Sequence, residues 1–350
     1  MKQQTFLTVL IAIVLGSASS AVAGASRCTI ALVEEWPIRL LHNHLIVDGA
    51  VNGRKVGIML DTGATLSLIL RATAARLDLP RRDAPGYRMF GIGGETRVEV
   101  ASIDEFRIGQ ATLKDFKLLV AGENDFADGV DALLGEDFLH EFDVEFDLAH
   151  STVRLFRPKD CDRVSLAYWS PDAAGEVEIE SATDAGHPEI MLTVQINGRT
   201  VRAKLDSGAS SSVLTKHDAA AAGVTPETQG VVAVGKSGGL GKNAVDTWIG
   251  PFESFAIGNE IVRNTTISFA DLYKDVKYTQ TGSQVRKSVA PLQPMLLGAD
   301  FLRAHRVFVA HSQRKLYFTY AGGPVFQTGA QPPPGGPTPD GAAASSTGTN

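Results

Sequence analysis

Two short stretches of this sequence carry residue types suited to chemistry: Asp61-Thr62-Gly63-Ala64 and, further along, Asp206-Ser207-Gly208-Ala209. Each places a carboxylate at the end of an apolar run. A lone ionised Asp buried in such surroundings is costly unless something compensates it. A second copy of the same structure supplies that compensation. Two carboxyls that share a proton relieve the burial cost and set an acid beside a base. Such a pair titrates in two coupled steps, so neither role belongs to one residue alone. The glycine after each Asp-Thr or Asp-Ser is expected to let the backbone turn tightly behind the carboxylate.

The elements that must position these acids are legible on either side. Val56-Gly57-Ile58-Met59-Leu60 precedes Asp61, and Val201-Arg202-Ala203-Lys204-Leu205 precedes Asp206. Apolar residues at alternate positions predict a strand with one face in a core. Asn52-Gly53-Arg54 lies nine residues before Asp61, and Asn197-Gly198-Arg199 lies nine before Asp206. Downstream, Leu133-Leu134-Gly135-Glu136-Asp137-Phe138-Leu139 matches Leu296-Leu297-Gly298-Ala299-Asp300-Phe301-Leu302. The interval from acid to second motif is 72 residues in the first copy and 90 in the second. Most of the surplus is assigned to residues 272–293, a polar insertion without clear period. Two copies do not make a solenoid, which needs several units. They make a pseudo-symmetric dimer within one chain.

The first unit, residues 29–158, reads as mostly short strands with turns at Asn52-Gly53, Gly91 with Gly93-Gly94, and Gly109. Short helices are predicted over 71–79 and 136–142, with a closing hairpin from 144–147 and 153–156. Residues 159–186 read as a polar linker, in which Glu176 to Glu180 alternates like an edge strand. The second unit covers 187–321. The tail, 322–350, is dominated by Gly, Pro, Ala, Ser and Thr and lacks the apolar surface to fold.

With 44% hydrophobic and 21% charged residues in 350, the composition is that of a soluble protein with room for two cores. A net charge of −6 gives no reason to expect nucleic acid or an anionic membrane as partner. Residues 1–23 have the layout of a signal peptide: Lys2, the apolar run Phe6 to Leu15, then Ala21-Val22-Ala23. An uncleaved anchor is the alternative, although the run is short for a membrane span. Arg27 before Cys28 spoils a lipoprotein pattern. Export implies a periplasmic or secreted setting. There the only two cysteines, Cys28 and Cys161, either form a disulfide or remain unrelated thiols.

These residues together resemble the retroviral-type, or retropepsin-like, aspartic proteases, and specifically bacterial exported members with a tandem repeat. The resemblance spans about Trp36 to Pro158 and about Glu189 to Tyr320. It implies a mostly β fold of two closed barrel-like units whose acids meet at their interface. It implies an aspartic endopeptidase in which Asp61 and Asp206 activate water against a peptide or protein substrate. Thr62, Gly63, Ala64, Ser207, Gly208 and Ala209 support the two loops, with the Thr62 and Ser207 hydroxyls bracing them against each other. Thr65 and Ser210 are expected to add hydrogen bonds. The Leu-Leu-Gly segments are expected to cross under the acid loops. The chain is expected to act as a monomer with its two units paired, without cofactor or metal.

The resemblance also implies a glycine-rich flap over each acid. Gly91, Ile92, Gly93 and Gly94 form the tip of the first. Gly235, Gly238 and Gly239, in a longer and more basic stretch, form its counterpart. The departure of the second flap keeps an alternative open: an inactive peptide-binding or assembly module on the same fold. Other motifs carry less. Residues 235–243 approach a phosphate loop, but the spacing is one too long and Asn243 stands where Ser or Thr is needed. The histidines show no metal-ligand spacing. The acids Glu136, Asp137, Asp143, Glu145 and Asp147 are expected on a solvated face.

Overall fold

The computed structural model describes residues 28–85, 89–122, 128–180, 189–274 and 294–326. The expected signal peptide, most of the inserted stretch (275–293) and residues 327–350 of the tail lie outside them. Among the described residues no helix is long and apolar enough to cross a membrane.

Each unit is a closed six-stranded barrel. In the first, the ring runs His44–Val51, Arg54–Leu60, Ala132–Leu134, Leu68–Leu70, Ala111–Ala121 and Glu99–Ile108, and Gly49 opposite Ile108 closes it. The second repeats this order with Met191–Ile196, Arg199–Leu205, Met295–Leu297, Val213–Thr215, Glu260–Ala270 and Val245–Ile257, and Gln195 opposite Ala256 closes it. The Asn-Gly pairs make the same turn in both units. Asn52 and Gly53 have φ of 49° and 74°, Asn197 and Gly198 of 49° and 75°. Two successive positive φ values suit a tight hairpin, and Asn-Gly tolerates them best. The side chain of each Asn also accepts from a neighbouring strand, at Glu105 N (3.0 Å) and Ser254 N (3.1 Å).

The strands that deliver the acids differ in burial. In Arg199–Leu205 Val201, Ala203 and Leu205 are buried, with Arg202 and Lys204 partly exposed between them. In Arg54–Leu60 every residue from Val56 onward is buried. Met59 points away from the barrel core and is covered by a second apolar cluster with Ile46, Leu68, Leu70 and Leu133. The predicted helices are shorter than expected, Arg71–Arg76 and Glu136–Leu139.

A third sheet joins the barrels. Its order is Thr29–Pro37, Thr152–Lys159, Asp143–Asp147, His305–Ala310, Lys315–Tyr320 and Gly175–Glu178. The two central strands come from different units and pair antiparallel, Val144 opposite Val309. One continuous apolar core therefore runs through both units, with Trp36 and Phe146 packed in the same cluster as Phe301 and Phe318.

Three expectations need correction here. Residues 159–186 are more than a linker: Leu166 and Ala167 are buried, and Gly175–Glu178 forms the edge strand of the shared sheet. Gly322 to Phe326 belong to the fold and not to a tail, because Val325 and Phe326 are buried and Phe326 packs on Phe255 at 4.8 Å. Apart from the exposed Asp137, the acidic run does not lie on a solvated face. Glu145 and Asp147 are buried beneath Tyr168 and the arginines of the adjacent strands. Arg154 Nη1 donates to Asp147 Oδ2 (3.2 Å) and Glu145 Oε2 (3.3 Å), and Arg306 Nε donates to Glu145 Oε1 (2.5 Å). Buried charges persist only when paired in this way.

Cys28 and Cys161 are joined by a disulfide, with Cα atoms 4.6 Å apart and a sequence separation of 133 residues. It ties the outer strand Thr29–Pro37 to the end of Thr152–Lys159. Closing so long a loop restricts the unfolded chain by about 3–5 kcal/mol in the chain-entropy account. Cys28→Ser with Cys161→Ser is expected to lose stability of that order, read as a lowered urea midpoint. An unchanged midpoint would show that the bond adds nothing.

Candidate active site

Each acid sits just past the end of its strand, held by the segment that runs beneath it. Ala132–Leu134 is parallel to Arg54–Leu60, and Met295–Leu297 to Arg199–Leu205. Asp61 N donates to Leu134 O (3.0 Å) and Asp206 N to Leu297 O (2.9 Å). In both units the chain then turns back under the loop, and Glu136 N donates to Ala64 O (2.9 Å) as Ala299 N does to Ala209 O (2.8 Å).

The two loops are locked to each other by four buried hydrogen bonds. Thr62 N donates to Ser207 Oγ (3.0 Å) and Ser207 N to Thr62 Oγ1 (3.0 Å). The hydroxyls donate across the interface, Thr62 Oγ1 to Leu205 O (2.8 Å) and Ser207 Oγ to Leu60 O (2.8 Å). Thr65 and Ser210 contribute backbone carbonyls, accepting from Asp137 N (3.2 Å) and Asn43 Nδ2 (3.2 Å).

This grip brings Asp61 and Asp206 together, and their side chains hydrogen-bond each other. Each Oδ1 accepts from two backbone N–H groups of its own loop at 3.0 Å, those of Gly63 and Ala64 or of Gly208 and Ala209. The glycines have a different reason from the one expected. Neither Gly63 nor Gly208 has a positive φ. A Cβ at Gly63 would fall 2.3 Å from Asp206 Cγ, and one at Gly208 would fall 2.4 Å from Asp61 Cγ. Each glycine makes room for the opposite acid.

Burial pushes the Asp61 carboxyl up to about 8, and the neighbouring Asp206 charge adds to the effect. Burial also raises Asp206, while the charge of Lys204 acts in the opposite sense. The pair therefore retains a proton well above the ordinary carboxylate range.

The flaps meet over this site. Met89–Gly91 and Gly94–Thr96 pair as a hairpin, with Gly91 opposite Gly94. Its tip is held by the second unit: Gly241 N donates to Ile92 O (3.0 Å) and Asn243 N to Gly93 O (3.1 Å). Ile92 packs into a cluster containing Ala209, and Leu240 into one containing Ala64. Each flap thus reaches across to the other unit's acid loop. Of the residues expected in the second flap, Gly239 lies against Ile92, whereas Gly235 and Gly238 face open space. The working tip is Gly239-Leu240-Gly241, a few residues later than expected. It mirrors Gly91-Ile92-Gly93, and an apolar residue between two glycines was the signal in the sequence.

Other residues at the site escaped the sequence reading. Ser67 Oγ donates to Asp137 Oδ1 (2.6 Å) and accepts from Gly135 N (2.9 Å). Ser212, Asp300 and Gly298 repeat this at 2.6 Å and 2.9 Å. Both serines stand six residues after their acid, so the repeat itself marked them. His44 of the first unit bonds the backbone of Gly208, and burial holds its imidazole below the usual range. Lys204, two residues before Asp206, pairs with Glu189 (3.0 Å).

A family model described as aspartyl protease matches residues 47–138 and again residues 192–301. The chain belongs to the aspartyl protease family. Each match covers most of one barrel with its acid loop, so the retropepsin-like unit occurs twice in tandem. A search of curated proteins finds no match.

The proton on the buried pair gives this protease-family site a pH signature. Between the ordinary value of 3.8 and about 8, the folded Asp61 holds a proton that the unfolded chain releases. That contribution to stability is complete at low pH and is lost as pH rises through this window. Asp61→Asn, which mimics the protonated carboxyl, removes the loss. Its melting temperature relative to wild type is therefore expected to climb from about pH 4.5 to about pH 8. A difference that stays flat would show that Asp61 titrates normally.

Proposed function

We propose that the protein is an exported aspartic endopeptidase in which Asp61 and Asp206 together activate a water molecule to hydrolyse a peptide bond. The observation that carries this reading is the pair itself, two carboxyls in hydrogen-bonding contact beneath a shared lid, with Asp61 buried and Asp206 half-buried. The ionised carboxyl takes a proton from water, and the protonated one donates to the scissile carbonyl and then to the leaving nitrogen. Acid and base both come from the pair. The lid would offer an extended peptide the backbone groups of two hairpins and the side chains of Ile92 and Leu240. Its closed contacts favour one other reading, a peptide-binding or assembly module whose lid does not open for turnover.

Purified protein incubated with a diverse peptide mixture separates these readings. Cleavage products are expected from wild type, and binding without products would favour the module. Asp61→Asn and Asp206→Asn should each lower cleavage by at least about 1000-fold, with no further loss in the double variant. Activity should fall as pH rises through about 8, where Asp61 loses its proton. Both acids come from one chain, so a mixture of the two single variants should stay inactive. Recovered cleavage in the mixture would instead require acids paired between chains.

The layout of residues 1–23 supports export, and so does the Cys28–Cys161 disulfide, which suits an oxidising compartment. Mass spectrometry of the exported protein is expected to show a chain beginning at Gly24. An intact Met1 end would overturn that part of the proposal.

A further inference from the structure

Beneath the first acid loop is a cluster that the peptidase mechanism does not use. Glu136 opens the helix Glu136–Leu139 directly after Leu133-Leu134-Gly135. Its side chain is 1% exposed, and neither carboxyl oxygen has a hydrogen-bond partner among the described residues. A buried carboxylate without a partner is expensive and asks for a compensating group. Two imidazoles face it. His311 Nε2 lies 3.7 Å from Glu136 Oε2, and His140 Nδ1, one helical turn along, lies 4.0 Å from the same oxygen.

Both separations are too long for hydrogen bonds, so a protonated carboxyl bonded to imidazole does not account for the group. His311 Nε2 is likewise buried without a partner among the described residues. The two rings touch, Nδ1 to Nδ1, at 3.0 Å. One donor atom from each of the three residues can be chosen so that all lie within 4.8 Å of one another. A tetrahedral zinc ion, with bonds of about 2.0–2.2 Å, sets its ligand atoms about 3.3 Å apart. Small side-chain shifts close that difference.

The cluster is shared between the units. Glu136 and His140 come from the first, and His311 follows the strand His305–Ala310 of the second. His140 and His311 stand 171 residues apart, which explains why no spacing in the sequence exposed the group. The second repeat has Ala299 and Arg303 at the places of Glu136 and His140, so the repeat does not duplicate this set.

We propose that Glu136, His140 and His311 form a zinc site that clamps the two units together beneath the Asp61 loop. Two imidazoles and a carboxylate suit Zn²⁺, and the half-exposed His140 leaves the fourth position to solvent. Binding only to the folded, paired arrangement, the ion stabilises it by mass action.

The test is independent of peptidase activity. Untagged protein stripped with chelator is titrated with zinc chloride against a competing chromophoric chelator, and its melting temperature is followed. One zinc per chain and a raised melting temperature are expected. His140→Ala, at a half-exposed position, should weaken zinc binding by at least about 100-fold and abolish the thermal shift. Glu136→Gln, which keeps the side chain's shape, should do the same. Absence of stoichiometric zinc binding would overturn the proposal, and so would binding that His140→Ala leaves unchanged.

Discussion

Two carboxyl groups buried against each other are the constraint on which the rest of this structure depends. Such a contact survives only if a proton is shared and the remaining lone pairs are satisfied. The lone pairs are met within each loop, by the N–H groups of Gly63 and Ala64 or of Gly208 and Ala209, and the contact itself is set by groups that cross between the units. The Thr62 and Ser207 hydroxyls bond carbonyls of the opposite unit, and Gly63 and Gly208 open the space that the opposite acid fills. A single unit would expose its acid and leave its loop hydroxyl without its carbonyl partner. The central sheet, with Asp143–Asp147 against His305–Ala310, is the wider frame that holds the loops in this register. Arg154 and Arg306 neutralise Glu145 and Asp147 at the seam, so the joint tolerates buried charge.

Much of this was legible in the sequence because duplicated physics leaves duplicated residues. The Asn-Gly turns, the strands before each acid and the Leu-Leu-Gly segments occur twice at matched spacing, and the two barrels follow from them. What was not legible arises where the copies meet. The reason for Gly63 lies in a carboxyl 143 residues away in sequence, and no local pattern signals it. The acids of the seam read as a solvated face because their arginine partners and the covering Tyr168 lie on other segments. Residues 159–180 read as a linker because a short edge strand and a few packed side chains leave a weak periodic signal. The second flap was misplaced by a few residues because two glycine clusters lie close together. Only contact with Ile92 distinguishes the one that forms the tip.

Fusing two copies into one chain frees each to change alone. Met59 is buried two residues before Asp61, whereas Lys204 stands at the same place before Asp206 and brings its charge to bear on both acids. His44 bonds the second acid loop, while Glu189, at the equivalent place in the other unit, bonds Lys204. A strictly two-fold pair would give both acids the same surroundings. Here an ion pair, Lys204 with Glu189, stands on one side of the dyad and a buried methionine, Met59, on the other. The dyad therefore has two unlike sides inside a frame that is otherwise two-fold, and the pair is asymmetric before anything approaches it.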